Sequence, residues 1–241
     1  MNKRTKIILS FSIFLMLFLM LFIDNSYSGI IVTEAKAPDY SLIANVPTIN
    51  QDTNTSITAL QNKYQNNDIV GILKIPNTNI NEIVVQSNDN DFYLNHDLYK
   101  NYKKAGSTFL DYRVNINEGQ KNLIYSHNST KGDLPFSELE KYYDENFYQG
   151  HEFIELETDK DTSRYKIFSV FVEASDWSYM YLNFSSNKWY EHLKQLKDKS
   201  WYDTVVTINK DDEILILQTC SFHQNYQKYS NKYLLVIAKK V

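Results

Sequence analysis

Four consecutive aliphatic residues, Ile214–Leu217, lead almost directly into the only cysteine of the chain, Cys220. An unbroken apolar run of this kind, bounded by polar residues, is typical of a strand buried on both faces. Cys220 would then stand where a rigid core strand ends and the polar segment 221–231 begins. A lone cysteine is often an inert, buried side chain. A position at the end of a strand is equally compatible with a free, reactive thiol, and both interpretations are open at this point.

Short apolar runs separated by turn residues divide the rest of the chain. The predicted strands are 69–75, 83–85, 106–111, 122–125, 152–158, 165–172, 205–208, 214–219 and 233–238. Apolar residues at helical spacing predict helices around Ile57–Tyr64, Phe136–Phe147 and Trp189–Leu196. Because strands and helices do not alternate regularly, we expect an α+β domain that is mostly β. Its expected core is a closed, mostly antiparallel barrel of about eight strands with two or three peripheral helices.

The N-terminal segment 7–23 is apolar apart from two serines and follows three basic residues. Basic residues tend to stay on the cytoplasmic side of a membrane, so this pattern predicts a single-pass anchor. We then expect a cytoplasmic N-terminus at 1–6, an extracellular tether at 24–53 and a folded domain at 54–241 outside the cell membrane. The apolar run is short for a membrane helix, so a signal peptide cleaved near Ala35–Ala37 is the alternative.

The net charge and the cysteine content argue against nucleic-acid binding and against a disulfide within the chain. The net charge of −4 gives no indication of nucleic-acid binding. A single cysteine outside the cytoplasm cannot form a disulfide within its own chain. Cys220 is therefore either inert or a free thiol with a chemical task.

A free thiol ionises near pH ~8.5 and needs an activating partner to act as a nucleophile at neutral pH. Histidine is the usual partner, and His127 follows the predicted strand 122–125 just as Cys220 ends its own strand. Two rigid strand ends could hold such a pair in fixed geometry. The other histidines lie in an aromatic loop, a turn, a helix face and the polar segment after the cysteine: His96, His151, His192 and His223.

Five segments of the chain resemble the class B sortases of Gram-positive cell envelopes. They are Asp68–Ile75, Gly106–Arg113, Tyr125–Asn128, Phe168–Phe171 and Leu217–Cys220. With the spacing between them, the resemblance extends over roughly residues 55 to 241. Its most specific part is a strand that ends in Thr-Cys, preceded in the chain by a His-Asn pair.

This resemblance implies a membrane-anchored cysteine transpeptidase of the thiol endopeptidase class, built on an eight-stranded sortase-type β-barrel. Cys220 would attack a backbone carbonyl in the C-terminal sorting signal of a surface protein and form a thioester. His127 would act as the general acid and base. The implied partners are surface proteins that carry sorting signals and an amine of a peptidoglycan precursor or of another protein. The resemblance implies no metal and no organic cofactor.

The chain departs from the family pattern at the last predicted strand. The family carries an arginine there that stabilises the oxyanion or positions the substrate, and the matching position is Tyr233. Lys232 precedes it, but neighbouring residues of a strand point to opposite faces. Ser126 replaces the family's usual glycine before the histidine. Arg113 lies in a segment that the family keeps, so we expect a structural ion pair for it and not a substitute for the missing arginine.

Two rival hypotheses accompany this prediction. Tyr233 motivates a catalytically impaired sortase-fold protein that binds sorting peptides without turning them over. An unrelated cysteine hydrolase of the cell envelope is disfavoured, because such enzymes usually place the cysteine at the start of a helix and before the histidine. In this chain the histidine comes first and the cysteine ends a strand.

Overall fold

The structure, a computed structural model, describes residues 56–241. Its strands are β1 (Ile69–Lys74), β2 (Asn81–Val85), β3 (Thr108–Leu110), β4 (Lys121–Tyr125), β5 (Phe153–Glu157), β6 (Thr162–Glu173), β7 (Ile214–Cys220) and β8 (Tyr233–Lys240). Its α-helices are α1 (Ile57–Tyr64), α2 (Glu145–Gly150) and α3 (Ser186–Asp198). Short 3-10 helices cover Phe92–Leu94, Ser137–Tyr143, Trp177–Met180 and Gln224–Tyr226.

The eight strands close into a barrel in the order β1-β2-β3-β4-β7-β8-β6-β5, and β5 pairs back onto β1. Two neighbouring pairs are parallel, β2 with β3 and β4 with β7. The other pairs are antiparallel. Closure leaves no long sheet edge unpaired.

Strands β4 and β7 form the best-buried wall of this barrel. Every residue of β4 is buried, and so are Ile214–Leu217 of β7. Both faces of these strands are therefore covered by protein, which explains why their sequences read as continuous apolar runs. The burial makes this wall a rigid support for the residues that follow each strand.

The helices pack on the outside of the barrel through one apolar side each. Helix α1 begins after Ser56, whose hydroxyl accepts a hydrogen bond from the Ala59 amide, and it buries Ile57 and Leu60. Helix α3 buries Trp189, His192, Leu193 and Leu196. These burial patterns follow the three- and four-residue spacing of the sequence.

The closed eight-stranded barrel with its peripheral helices confirms the predicted fold class, but three details differ. Segment 205–208 is not a strand: Val206 and Ile208 are buried and Val205 is exposed, which imitates strand alternation, but Val205 has a left-handed φ of 55°. The predicted helix over Phe136–Phe147 is a 3-10 helix followed by α2. The barrel is also mixed, with two parallel pairs.

The predicted single-pass location in the cell membrane is corrected. No helix within residues 56–241 is long and apolar enough to cross a membrane. The segments 1–6, 7–23 and 24–53, on which that prediction depended, lie outside the described residues. The membrane location is therefore withdrawn.

Candidate active site

His127 and Cys220 lie at the same level on neighbouring strands. The parallel pairing of β4 with β7 matches Tyr125 with Gln218, so the residues two positions further along are His127 and Cys220. The Ser126 amide donates to the Gln218 carbonyl at 3.2 Å. The buried Thr219 hydroxyl donates to the Ser126 carbonyl at 2.8 Å. These two bonds join Ser126, which directly precedes His127, to the two residues that precede Cys220, so the register of the two strands sets the predicted site residues at corresponding positions.

The His127 ring is held by a backbone carbonyl. Its Nε2 lies 2.7 Å from the Leu94 carbonyl oxygen. A carbonyl only accepts, so Nε2 carries the proton in this contact, and in the neutral ring Nδ1 is left as the basic nitrogen. The His127 carbonyl accepts from the Phe136 amide at 3.1 Å, which fixes the backbone as well. The sequence offers no signal for Leu94, because its contribution comes from the main chain.

Gly106 allows the Leu94 carbonyl to reach this position. Its φ is +58°, and a Cβ added there would lie 2.5 Å from the Tyr93 oxygen and 2.6 Å from the Leu94 oxygen. Both distances are far below van der Waals contact, and both neighbours are backbone atoms. The close approach and the left-handed conformation together require glycine at this position.

The Cys220 thiol is exposed and free. Nearby protein atoms desolvate the sulfur and raise the thiol pKa above its ordinary value, and the positive charge of Lys232 acts in the opposite direction. Among the residues that the structure describes, no hydrogen bond joins the thiol to the His127 ring. The resting thiol is therefore mostly protonated at neutral pH and is not part of a preformed ion pair.

Tyr233 occupies the position directly opposite Cys220. Strands β7 and β8 are antiparallel and match Cys220 with Tyr233, so the two side chains project from the same face of the sheet. The Tyr233 ring packs edge-on against Trp177 at 5.6 Å between ring centres. Desolvation, and then the neighbouring Cys220, raise the pKa of Tyr233. Its hydroxyl consequently keeps its proton at neutral pH and can donate a hydrogen bond.

The segment 174–185, between β6 and α3, starts beside Tyr233, where Trp177 packs, and extends along the barrel to Lys121 at the far end of β4. Tyr179 is buried and donates to the Gln218 side chain at 2.8 Å, whereas Tyr181 is exposed. The Tyr181 carbonyl accepts from Lys121 at 2.8 Å. Tyr179 therefore belongs to the core and Tyr181 to the surface.

A cavity of about 700 Å³ opens beside Gly106, and neither His127 nor Cys220 lines it. It is lined by both signs of charge, including Glu82, Lys103 and Asp133. Burial raises the pKa of Glu82, and Lys103 acts in the opposite direction. Tyr233 thus has an aromatic neighbour in Trp177, and Gly106 lines a polar cavity.

The other histidines are engaged elsewhere. His96 and His151 stack on Phe92 and Phe147 at 4.0 and 3.9 Å between ring centres. His192 is buried on α3, with its Nε2 3.0 Å from the Lys121 ammonium. The His223 ring packs against Trp201, Tyr143 and Tyr226. His127 is thus the histidine that the fold aligns with Cys220.

Arg113 forms the ion pair expected from its sequence context. Its guanidinium binds both carboxylate oxygens of the fully buried Asp111, at 2.8 and 2.7 Å. Tyr125 also donates to Asp111 at 2.7 Å. Although burial would raise the pKa of Asp111, its hydrogen bonds to Arg113 and Tyr125 lower it to about 2. Arg113 also donates to the Met180 carbonyl at 3.3 Å.

The sequence-based prediction assigned no function to two polar residues near the site. Asn128 belongs to the motif after His127, and Glu140 lies in the 3-10 helix Ser137–Tyr143. The Asn128 amide contacts both Glu140 and the Cys220 carbonyl. Glu140 carries no signal in the sequence, because only the folded chain brings it next to the two strand ends. Within residues 56–241 no group of three or more His, Cys, Asp or Glu side chains is placed to hold a metal ion.

Comparison with known proteins identifies the family. A family model described as "Sortase domain" matches residues 73–241. Sortase B of Listeria monocytogenes is 34% identical over 209 residues, which cover 85% of this chain and 82% of the relative. The chain belongs to the class B sortases. Sortases are cysteine transpeptidases, so this sortase belongs to an enzyme family of that activity.

Solved structures agree with the assignment of the fold. The structure of Clostridium perfringens sortase B superposes with a TM-score of 0.70 at 30% identity, and the match covers 77% of this sortase and 100% of that chain. A Staphylococcus aureus sortase B–substrate complex gives a TM-score of 0.69 at 27% identity, covering 77% and 84% of the two chains. The mixed eight-stranded barrel of this sortase is therefore the class B sortase barrel.

Proposed function

We propose that this sortase cleaves a C-terminal sorting signal in a surface protein through a thioester on Cys220 and transfers that protein to an amine of the cell wall. The observation that carries this proposal is the parallel register of β4 with β7, in which Tyr125 pairs with Gln218, each two residues before His127 and Cys220. Family membership supplies the reaction class, and the Staphylococcus aureus relative was solved with a substrate.

In the first half-reaction, the thiol of Cys220 loses its proton to Nδ1 of His127, and the thiolate attacks the carbonyl carbon of the scissile peptide bond. The resulting tetrahedral intermediate carries a negative oxygen. When it collapses, the carbon–nitrogen bond breaks and His127 returns the proton to the departing amine. The Leu94 carbonyl favours this role for Nδ1, because it holds the proton of the neutral ring on Nε2.

In the second half-reaction, an amine from the cell-wall precursor or from another protein attacks the thioester carbon. His127 removes a proton from the attacking amine, and the carbon–sulfur bond breaks. A new amide bond forms and the Cys220 thiol is regenerated. Atoms and charge balance without a metal or an organic cofactor, because every proton passes between His127, the thiol and the two amines.

Two residues supply what the missing arginine would otherwise provide. Lys232 is the cation that lowers the pKa of Cys220, and its ammonium is held near the site by the Tyr229 carbonyl at 3.1 Å. The hydroxyl of Tyr233, opposite the cysteine, is the candidate donor to the developing oxyanion. A neutral donor is weaker than a guanidinium, since hydrogen bonds to charged partners gain from charge on both sides.

Mass spectrometry of the acyl-enzyme tests this proposal directly. Purified protein is incubated with a panel of sorting-signal peptides, with and without triglycine as a simple acceptor amine. We expect a mass increase located on Cys220, its absence in Cys220→Ala, and an amide product only when triglycine is present. A panel that leaves wild type and Cys220→Ala equally unmodified would contradict the enzymatic function.

The second candidate function is binding of sorting peptides without turnover, and Tyr233 is the observation that favours it. The variant Tyr233→Arg separates the two functions. If the wild-type protein binds peptide but forms no thioester, and Tyr233→Arg forms one, the native chain is a binding protein impaired at this position. Efficient thioester formation by the wild type, unchanged in Tyr233→Arg, removes the reason for the second candidate.

A further inference from the structure

One amide nitrogen joins the segments that carry the two proposed catalytic residues. Nδ2 of Asn128, the residue after His127, donates to the Cys220 carbonyl at 2.8 Å and to Oε1 of Glu140 at 2.7 Å. The Cys220 carbonyl belongs to the last residue of β7. Asn128 therefore connects the end of one catalytic strand directly to the backbone of the cysteine itself.

Glu140 extends this connection to the chain beyond the cysteine. The same Oε1 accepts from the Phe222 amide at 3.1 Å. One carboxylate oxygen thus binds both the residue after His127 and the second residue after Cys220. We call Asn128 and Glu140, with these three hydrogen bonds, the amide bridge.

The orientation of the Asn128 side chain follows from its neighbours. Both groups in contact with Nδ2 are acceptors, so exchanging the amide nitrogen and oxygen would place three acceptors together. In the observed orientation Oδ1 is buried, and it has no hydrogen-bond partner in the part of the chain that the structure describes. Asn128 is only 8% exposed, so water does not readily satisfy that oxygen. A buried, unsatisfied acceptor is unfavourable, and a well-packed apolar residue would avoid it.

We propose that Asn128 and Glu140 are positioning residues that hold the Cys220 backbone at a fixed distance and angle from His127. This inference rests on the proposed function. The bridge fixes the carbonyl of Cys220, and through it the backbone dihedral that sets the direction of the thiol. Reacting groups tolerate little misplacement, since an error of about 1 Å can reduce a rate ~10²-fold.

Two substitutions at Glu140 separate the bridge from the charge of the carboxylate. Glu140→Gln removes the charge but keeps an oxygen that can accept from Asn128 and Phe222. Glu140→Leu removes both the charge and the acceptor. Both variants lose the negative charge, so its effect on the thiol is lost equally in both. A difference between the two variants therefore reports the hydrogen bonds of the amide bridge. Because Glu140 is only partly buried, we expect both variants to fold. Thermal melting of each variant checks this.

We expect Glu140→Gln to form the thioester at a kcat within about threefold of the wild type, and Glu140→Leu to be at least tenfold slower. KM for the peptide is expected to stay within about threefold in both, because the bridge does not touch the substrate. Equal kcat values for the two variants would overturn the proposal, and so would a loss confined to KM. If Glu140→Leu does not fold, the same criteria apply to Glu140→Ala.

A substitution at Asn128 gives an independent readout. In Asn128→Asp the new carboxyl lies beside Glu140, and only its protonated form can donate as the amide does. The ratio of variant to wild-type kcat is therefore expected to fall as pH rises from 6 to 8.5. The double variant with Glu140→Gln is expected to weaken this pH dependence. A ratio independent of pH would contradict the bridge.

The reactivity of the thiol distinguishes failure of the bridge from failure of the proposed function. Alkylation of Cys220 by iodoacetamide requires no peptide substrate. We expect the alkylation rate of Glu140→Leu to differ from that of Glu140→Gln by at least threefold at neutral pH. If the wild type forms no thioester but this difference remains, the proposed function fails and the bridge stands. Identical alkylation rates overturn the bridge whatever the peptides do.

Discussion

Cys220 at the end of β7 stands directly opposite Tyr233 at the start of β8, with both side chains on one face of the barrel. On the other side, the parallel pairing of β4 with β7 aligns His127 with the same cysteine. Cys220 and Tyr233 are thus a direct pair across β7 and β8. His127 follows β4 on the other side of β7, two residues beyond the last pair of that register.

Removing the Tyr233 hydroxyl tests its proposed role as an oxyanion donor. Tyr233→Phe keeps the ring and its contact with Trp177 but eliminates the donor. We expect kcat for thioester formation to fall ~10²-fold, in the range found when one oxyanion donor is removed. The melting temperature should change little, and single-turnover kinetics on the peptide identified by mass spectrometry measure the effect.

A control for Tyr233→Phe is Tyr181→Phe, which removes a hydroxyl from an exposed tyrosine on the segment 174–185. It should leave kcat within about twofold of the wild type. If Tyr233→Phe behaves in the same way, the hydroxyl is not the oxyanion donor.

The charge of Lys232 is expected to favour the thiolate. In Lys232→Met the thiol pKa rises further, because the cation that opposes desolvation is lost. An exposed charge pair contributes ~0.2–1 kcal/mol, so the alkylation rate of Cys220 at pH 7 should fall by a factor of about 1.4 to 5. Lys232→Arg should retain the wild-type rate. An alkylation profile against pH that is identical in Lys232→Met and the wild type would contradict this effect.

Gly106→Ala should disturb the active site from a distance. The added Cβ meets the Leu94 carbonyl, which orients His127. We expect at least a tenfold loss in kcat together with some loss of stability. Gly132→Ala is the matched control: its φ is also positive, at +74°, but nothing lies within 4 Å of the added Cβ. It should cost ~1–2 kcal/mol of stability through backbone strain and leave kcat unchanged. Equal kcat in the two variants would contradict the role of Gly106.

The buried Lys121 predicts how stability depends on pH. Burial, and to a lesser degree the charge of Arg113, lowers its pKa to about 7. The ordinary lysine pKa near 10.4 applies to the unfolded chain, so between these values the unfolded state binds more protons. Below pH 7 Lys121 is charged in both the folded and the unfolded state, and its contribution to the free energy of unfolding is then lowest. The free energy of unfolding should therefore rise as the pH increases above 7. An increase of about 2 kcal/mol between pH 7 and pH 9 is expected, at most 1.36 kcal/mol per unit.

Urea denaturation at pH 7, 8 and 9 measures this effect. The Cys220→Ala background is used throughout, because the raised thiol pKa would contribute with the opposite sign. Lys121→Met should make the curve nearly flat over this range. His192, whose pKa burial lowers to about 3, is neutral in the folded state at these pH values and does not interfere. Equal slopes in the two proteins would contradict the prediction for Lys121.

The barrel was largely predictable from the sequence. Its strands either have both faces buried, which gives an unbroken apolar run, or show a regular alternation of apolar and polar residues. The apolar runs alone correctly predict the strands at Ile214–Leu217 and β4. The helical spacing of apolar residues correctly predicts α3. Segment 205–208 misled the prediction, since its alternating burial arises from packing on the barrel wall without any strand partner. A positive φ at Val205 is not encoded by a residue type that favours it.

The residues of the chain itself determined that a core strand would end in a lone thiol and that another would end in a histidine. They also determined that the last strand carries no arginine, because none occurs in the chain after Arg164. Only the tertiary structure decided that β4 and β7 are parallel neighbours, because strand pairing depends on contacts between segments far apart in the chain. The same contacts bring the Leu94 carbonyl to His127 and Glu140 to Asn128. A backbone oxygen and a partly buried carboxylate acquire a role through position alone, which a linear sequence does not express.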